Sequence, residues 1–174
     1  RVEQLARPLG LNDTLRSRVN SPPPIQPAET EALLRGRWQF VNVWRNVSTA
    51  PVERFPLALC DARSVSADDL IVFEIRYADR VGENFFARHS PAHDWYYFPR
   101  LTRDECVLIK CWDSRGHDFI GELEQMRGWP APVGDPAEAV PATFSLHTGF
   151  VDPATREEAP DRESIEVRLV AFFK

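Results

Sequence analysis

The 174-residue chain predicts a mainly β fold (α+β), a sandwich or jelly roll with a few peripheral helices. Apolar residues recur with period two in several short runs rich in β-branched and aromatic side chains. Pro, Gly and Asp punctuate those runs, as turn chemistry requires. No long helical pattern separates them beyond residue 35, which argues against alternating βα units. The length predicts one domain, 1–174, and a chain of this size buries a core without staples.

Residues 1–19 predict a helix, with Leu5, Leu9, Leu15 and Val19 on a rough apolar stripe among charges. Asn20 to Pro27 holds four prolines and predicts a loop. Ala28 to Leu34 predicts one or two helical turns, opened by Pro27 and stopped near Gly36. Strands are predicted at 38–44, 57–60, 70–77, 84–89, 95–98, 106–112 and 164–173. His147 heads a further short one before the turn Val151-Asp152-Pro153. Gly116 to Ala142, rich in Gly and Pro, predicts a long, lid-like insert.

Hydrophobic content of 43% excludes a disordered chain. The net charge of −5, with both signs interspersed, presents no nucleic-acid surface. No apolar run is long enough to span a bilayer and no signal-peptide pattern opens the chain, so the expected location is cytoplasmic. Cys60, Cys106 and Cys111 lack C-x-x-C spacing and predict buried free thiols. The chain starts at Arg1 rather than at methionine, so it is expected to be either trimmed or lacking a stretch upstream of residue 29.

No dinucleotide, Walker or G-x-S-x-G pattern occurs. His147, at a strand end, either points into a barrel mouth or is a capping or core histidine. Arg162 and Ser164, at i and i+2, share one strand face, where a guanidinium can grip a carboxylate while the hydroxyl assists. Arg168 shares that face and, turned inward, needs an acidic partner or a substrate. His93 precedes the aromatic run Trp95-Tyr96-Tyr97-Phe98 and either packs on aromatics or lines a pocket. His117 is solvated or belongs to a lid. Asp61 and Arg63 predict an ion pair bracing a strand end. Asp113 and Ser114 end another strand, as a turn or with Asp113 as a metal carboxylate.

NVWRNV, FPLALCDARSV, HDWYYFPRLTRDECVLIKCWDS, LHTGFVDP and RESIEVRLVAF together resemble the gibberellin-desaturase-like hydroxylase/desaturase family, which includes the cephalosporin 7-hydroxylase component. The resemblance spans about Glu31 to Lys174. It implies a double-stranded β-helix (jelly roll) with Fe(II) and 2-oxoglutarate, acting with O₂ on a small-molecule secondary metabolite. It implies that His147 is the distal iron ligand, that Arg162 pairs with the 2-oxoglutarate C5 carboxylate and that Ser164 assists. His93 and Asp113 are weaker metal candidates, and Trp95, Tyr97 and Arg168 are substrate candidates. No nucleic acid or membrane partner is implied, and the chain is a monomer or a homodimer.

The family also carries an H-x-D pair upstream of the helix that matches Glu29 to Leu34, completing a facial triad. This sequence has no H-x-D; the expected region reads Arg16 to Pro24 without a histidine. Three explanations stand: the segment is missing, the site is rebuilt with His93 or Asp113, or the protein is a non-catalytic relative. The alternative functions are accordingly a binding or accessory jelly roll with a decayed iron site, and a non-redox isomerase or cyclase using Asp and His as acid and base.

Overall fold

The computed structural model describes residues 27–78, 81–116, 140 and 142–173. The expected helix 1–19, the proline-rich loop up to Gln26, His117 and nearly all of the insert lie outside the described residues. Helix α1 (Pro27–Leu34) begins on proline, whose fixed φ suits a first helical position. It ends where the Gly36 amide donates to the Leu33 carbonyl at 3.1 Å.

The strands among the described residues are β1 (Trp38–Asn46), β2 (Leu57–Cys60), β3 (Leu70–Arg76), β4 (Val81–Ala87), β5 (Trp95–Tyr97), β6 (Cys106–Asp113), β7 (His147–Gly149) and β8 (Ser164–Phe172). They form a sheet of order β6-β1-β8, a second of order β5-β2-β7 and a ribbon β3-β4. The paired strands run antiparallel.

In β1 the even-numbered Trp38, Asn42, Trp44 and Asn46 are buried, so the period of two selects one inward face. Trp44 opposes Val107 on β6 and Glu166 on β8, and Asn42 opposes Ile109 and Arg168. Trp44, Val107 and Ile109 join Val52, Leu57 and Leu101 in the core, and Leu59 of β2 packs against them. The inner faces of the two sheets therefore meet across this cluster. The ribbon is tied in by Phe85, whose ring stacks on Phe144 with centroids 5.1 Å apart.

One irregularity redirects a strand end. The β1–β6 register runs evenly from Arg45↔Cys106 to Val41↔Lys110, then jumps to Phe40↔Trp112. Cys111 is the extra residue of a β-bulge, and a bulge swaps which residues face inward beyond it. Asp113 therefore opposes the odd-numbered Gln39, on the outer face, rather than continuing the inward series of Val107 and Ile109.

Beyond the strand, the backbone approaches itself closely at Gly116. A Cβ there would stand 2.3 Å from the Thr143 Cα, so only glycine admits the bridge from Gly116 to Val140.

Several boundaries differ from the sequence-based expectation. β4 starts at Val81 and stops at Ala87, so His89 and His93 share no strand. Arg162 precedes β8, which opens at Ser164. Of the three thiols Cys60 is buried, but Cys106 is exposed at the first, outward position of β6 and Cys111 is half-buried at the bulge. No helix among the described residues is long and apolar enough to cross a membrane.

Candidate functional site

β7 brings the two central candidates together. His147 opposes Leu59 and Gly149 opposes Leu57, so His147 and Gly149 share the core-facing side of the second sheet. Arg162, two residues ahead of β8 of the other sheet, comes to the same place. Its guanidinium carbon lies 5.7 Å from the centroid of the Trp44 ring, and its Nη1 donates to the Phe55 carbonyl at 2.6 Å. A Cβ on Gly149 would stand 3.3 Å from that Nη1. His147 is two residues along β7, roughly 7 Å of strand.

The His147 imidazole is oriented from behind. Nδ1 lies 2.9 Å from the Ser145 carbonyl oxygen. A carbonyl only accepts, so Nδ1 carries a proton, and the tautomer this selects has its lone pair at Nε2. One histidine suited to a metal is thus present. The rest of a triad is not: among the described residues no group of three His, Cys, Asp or Glu side chains could hold a metal ion. The residues described here do not fit a complete iron centre.

The two weaker metal candidates are engaged elsewhere. The His93 side chain is buried, with Nε2 3.0 Å from Asp69 Oδ2, and its ring packs edge-on against Trp95. Asp69 also accepts from the Ser66 amide, which with the His93 bond holds its carboxyl below the ordinary value. Asp113 is fully buried on the outer face. Arg37 donates to it through Nε (3.2 Å) and Nη2 (2.9 Å), Gln39 through Nε2 (2.6 Å), and Lys110 Nζ lies 3.4 Å away. Burial pushes this carboxyl up, but the bonds from Arg37, the Arg115 amide and Gln39 outweigh it and the net shift is downward. Asp113 braces a sheet end and does not face His147.

Among the cosubstrate and substrate candidates, Ser164 opposes Asn46 on the inward face. Arg168 donates to Asn42 Oδ1 at 2.9 Å, and the Asn42 amide donates to Glu166. Asn42 thus links the inward arginine to an acidic residue. Trp95 and Tyr97 oppose Cys60 and Ala58, which places them on the face of the second sheet away from His147. Tyr97 instead lines a surface cavity of about 190 Å³ with Glu53, Arg100, Asp152 and Arg156, and its hydroxyl donates to Asp152 at 3.2 Å. As substrate walls beside His147 these two aromatics stand on the wrong side, because alternation within a three-residue strand is invisible until its register is known.

Sequence reasoning missed Trp44, Phe55 and Gly149. Only Gly149 left a signal, since a glycine two residues beyond a strand histidine marks a close approach.

Residues 13–124 and 133–172 match a family model described as YDMC, an oxidoreductase/YMDC permease-like domain. The chain belongs to this family. It is 35% identical over 159 residues to the hydroxylase/desaturase asaB of Aspergillus flavus, covering 84% of this chain and 60% of that protein. It is 33% identical over 142 residues to the Fe(II)/2-oxoglutarate-dependent dioxygenase nvfI of Aspergillus novofumigatus, covering 80% of this chain and 42% of that one. The solved structure of the iron and alpha-ketoglutarate-dependent endoperoxidase NvfI superposes with a TM-score of 0.63 at 29% identity, over 82% of this chain and 45% of that chain. The resemblance to hydroxylase/desaturases seen in the sequence holds, and the fold is the jelly roll expected of it. The chain spans about half the length of the relatives it matches.

Proposed function

We propose that this chain carries the distal half of an Fe(II)/2-oxoglutarate oxygenase site, in a protein that hydroxylates or desaturates a small-molecule secondary metabolite with O₂. One observation carries the proposal: His147 and the Arg162 guanidinium lie on the same side of β7, roughly two residues apart. Arg162 is the anchor for the distal carboxylate of 2-oxoglutarate. Its Nη1 is held by Phe55, and among the described residues Nε and Nη2 take no hydrogen bond, leaving a fork for a carboxylate. His147 offers Nε2 to a metal, and Ser164 adds a hydroxyl on the inward face beside Asn46. The relatives named hydroxylase/desaturase and 2-oxoglutarate-dependent dioxygenase support the reaction class.

The test is turnover by the full-length protein supplied with Fe(II), 2-oxoglutarate and O₂. Succinate release that is lost in Arg162→Ala and in His147→Ala supports the proposal. A full-length protein that neither binds nor consumes 2-oxoglutarate sinks it.

A second reading, a binding or accessory jelly roll, is favoured by the lack of a three-ligand group among the described residues and of any H-x-D in the sequence. It predicts 2-oxoglutarate binding without metal dependence and without succinate.

A further inference from the structure

We infer that Glu53 is a positioning residue that sets the angle of the Arg162 guanidinium, and with it the length of dicarboxylate the site accepts. The inference rests on Arg162 being the carboxylate anchor. Glu53 never touches Arg162. It acts through the backbone two residues later, because the group that receives Arg162 Nη1 is the carbonyl of Phe55.

That carbonyl is aimed by a strained backbone. Phe55 has φ of 52°, the left-handed region that a bulky residue adopts only where its surroundings impose it. The surroundings are visible. The Glu53 side chain is largely buried, and each oxygen is held by a different arginine: Oε1 by Arg100 Nη1 at 2.5 Å and Oε2 by Arg156 Nε at 2.8 Å. The Glu53 carbonyl accepts from Thr155 Oγ1 at 3.0 Å. Arg54 Nη2 donates to the Glu157 carbonyl at 2.7 Å, and the Phe150 amide donates to the Pro56 carbonyl at 3.3 Å. The 53–56 turn is thus pinned to the 150–157 loop, with Glu53 as its doubly anchored end.

The other sides of the guanidinium are bounded too. Trp44 lies on one side, and Gly149 admits Nη1 because it has no Cβ. The distance from this fork to His147 is therefore set by where the Phe55 carbonyl points. A dicarboxylate that bridges the two positions must match it. Releasing the turn lets the arginine swing, which weakens the best-matched ligand most and shorter or longer ones less.

The experiment titrates the full-length protein, supplied with Fe(II) and kept free of O₂, by calorimetry with 2-oxoglutarate, with oxaloacetate (one carbon shorter) and with 2-oxoadipate (one carbon longer). Glu53→Gln, which cannot form two ion pairs, is expected to weaken 2-oxoglutarate by roughly fivefold to tenfold and to narrow its preference over the other two. Arg156→Gln, which frees one oxygen only, gives a smaller change of the same kind and serves if Glu53→Gln does not fold. A merely structural role lowers the unfolding midpoint and leaves the preference among the three diacids unchanged. That result overturns the inference while Arg162→Ala still abolishes binding. If the unaltered chain fails to bind 2-oxoglutarate, or Arg162→Ala binds it as well as the unaltered chain, the anchor role itself is overturned.

Discussion

Arg37 holds Asp113 by both carboxylate oxygens, at 3.2 and 2.9 Å, on the outer face of the β6-β1-β8 sheet. The contact ties the segment entering β1 to the residue that ends β6, and it excludes Asp113 from the face that carries Arg162. Removing the carboxylate leaves Arg37 without its paired charge beside Gln39 and Lys110. Asp113→Ala is expected to lose about 3–5 kcal/mol in urea unfolding, as when one partner of a buried pair is deleted. The folded fraction is expected to bind 2-oxoglutarate as the unaltered chain does.

Acid stability follows from the carboxylates. Arg63 hydrogen bonds, followed by the Arg63 backbone amide, hold Asp61 down from 3.8 to about 2. The Arg156 hydrogen bond leads the lowering of Glu53. A depressed folded pKa adds stability that is complete above the unfolded value and is lost as pH falls through the folded one. The unfolding midpoint is therefore expected to fall between about pH 4 and pH 2. Asp61→Asn is expected to flatten that limb and leave the neutral-pH slope unchanged. An unaltered acid limb in the variant contradicts the assignment.

Ile109 is fully buried among Trp44, Val107 and Leu57. Truncation to alanine is expected to cost about 2–5 kcal/mol, and to valine about 0.5–1.5. Equilibrium unfolding reads both. A loss under 1 kcal/mol for alanine would mean that the core does not span the two sheets there.

Gly149→Ala crowds Arg162 beside the Phe55 carbonyl, which the new methyl would meet at 3.8 Å. The new methyl stands 3.3 Å from Nη1, so the guanidinium must give by a few tenths of an ångström. The expected result is 2-oxoglutarate binding weakened by roughly fivefold, about 1 kcal/mol, with the unfolding midpoint little changed. Calorimetry checks it, and unchanged affinity would remove Gly149 from the site.

The two histidines separate cleanly. His147→Ala is expected to abolish iron-dependent succinate formation by the full-length protein. His93→Ala is expected to retain it with a lower unfolding midpoint, because His93 is spent on Asp69. Equal loss in both would assign His93 to the metal.

The sequence by itself determined the strand content, the helix opened by Pro27, the family and the pairing of Asp61 with Arg63, because each depends on local periodicity, local turn chemistry or contiguous blocks of residues. It expected Arg162 and Ser164 on one strand face, but β8 opens only at Ser164, so a period of two does not decide where Arg162 points. Tertiary structure decided the rest. One extra residue at Cys111 turned Asp113 to the outer face, and no local pattern announces a bulge that exists only against β1. Register put Trp95 and Tyr97 on the face away from His147. The carbonyl that holds Arg162 belongs to Phe55, 107 residues earlier, and only the packing of the two sheets against one another brings them within hydrogen-bonding distance.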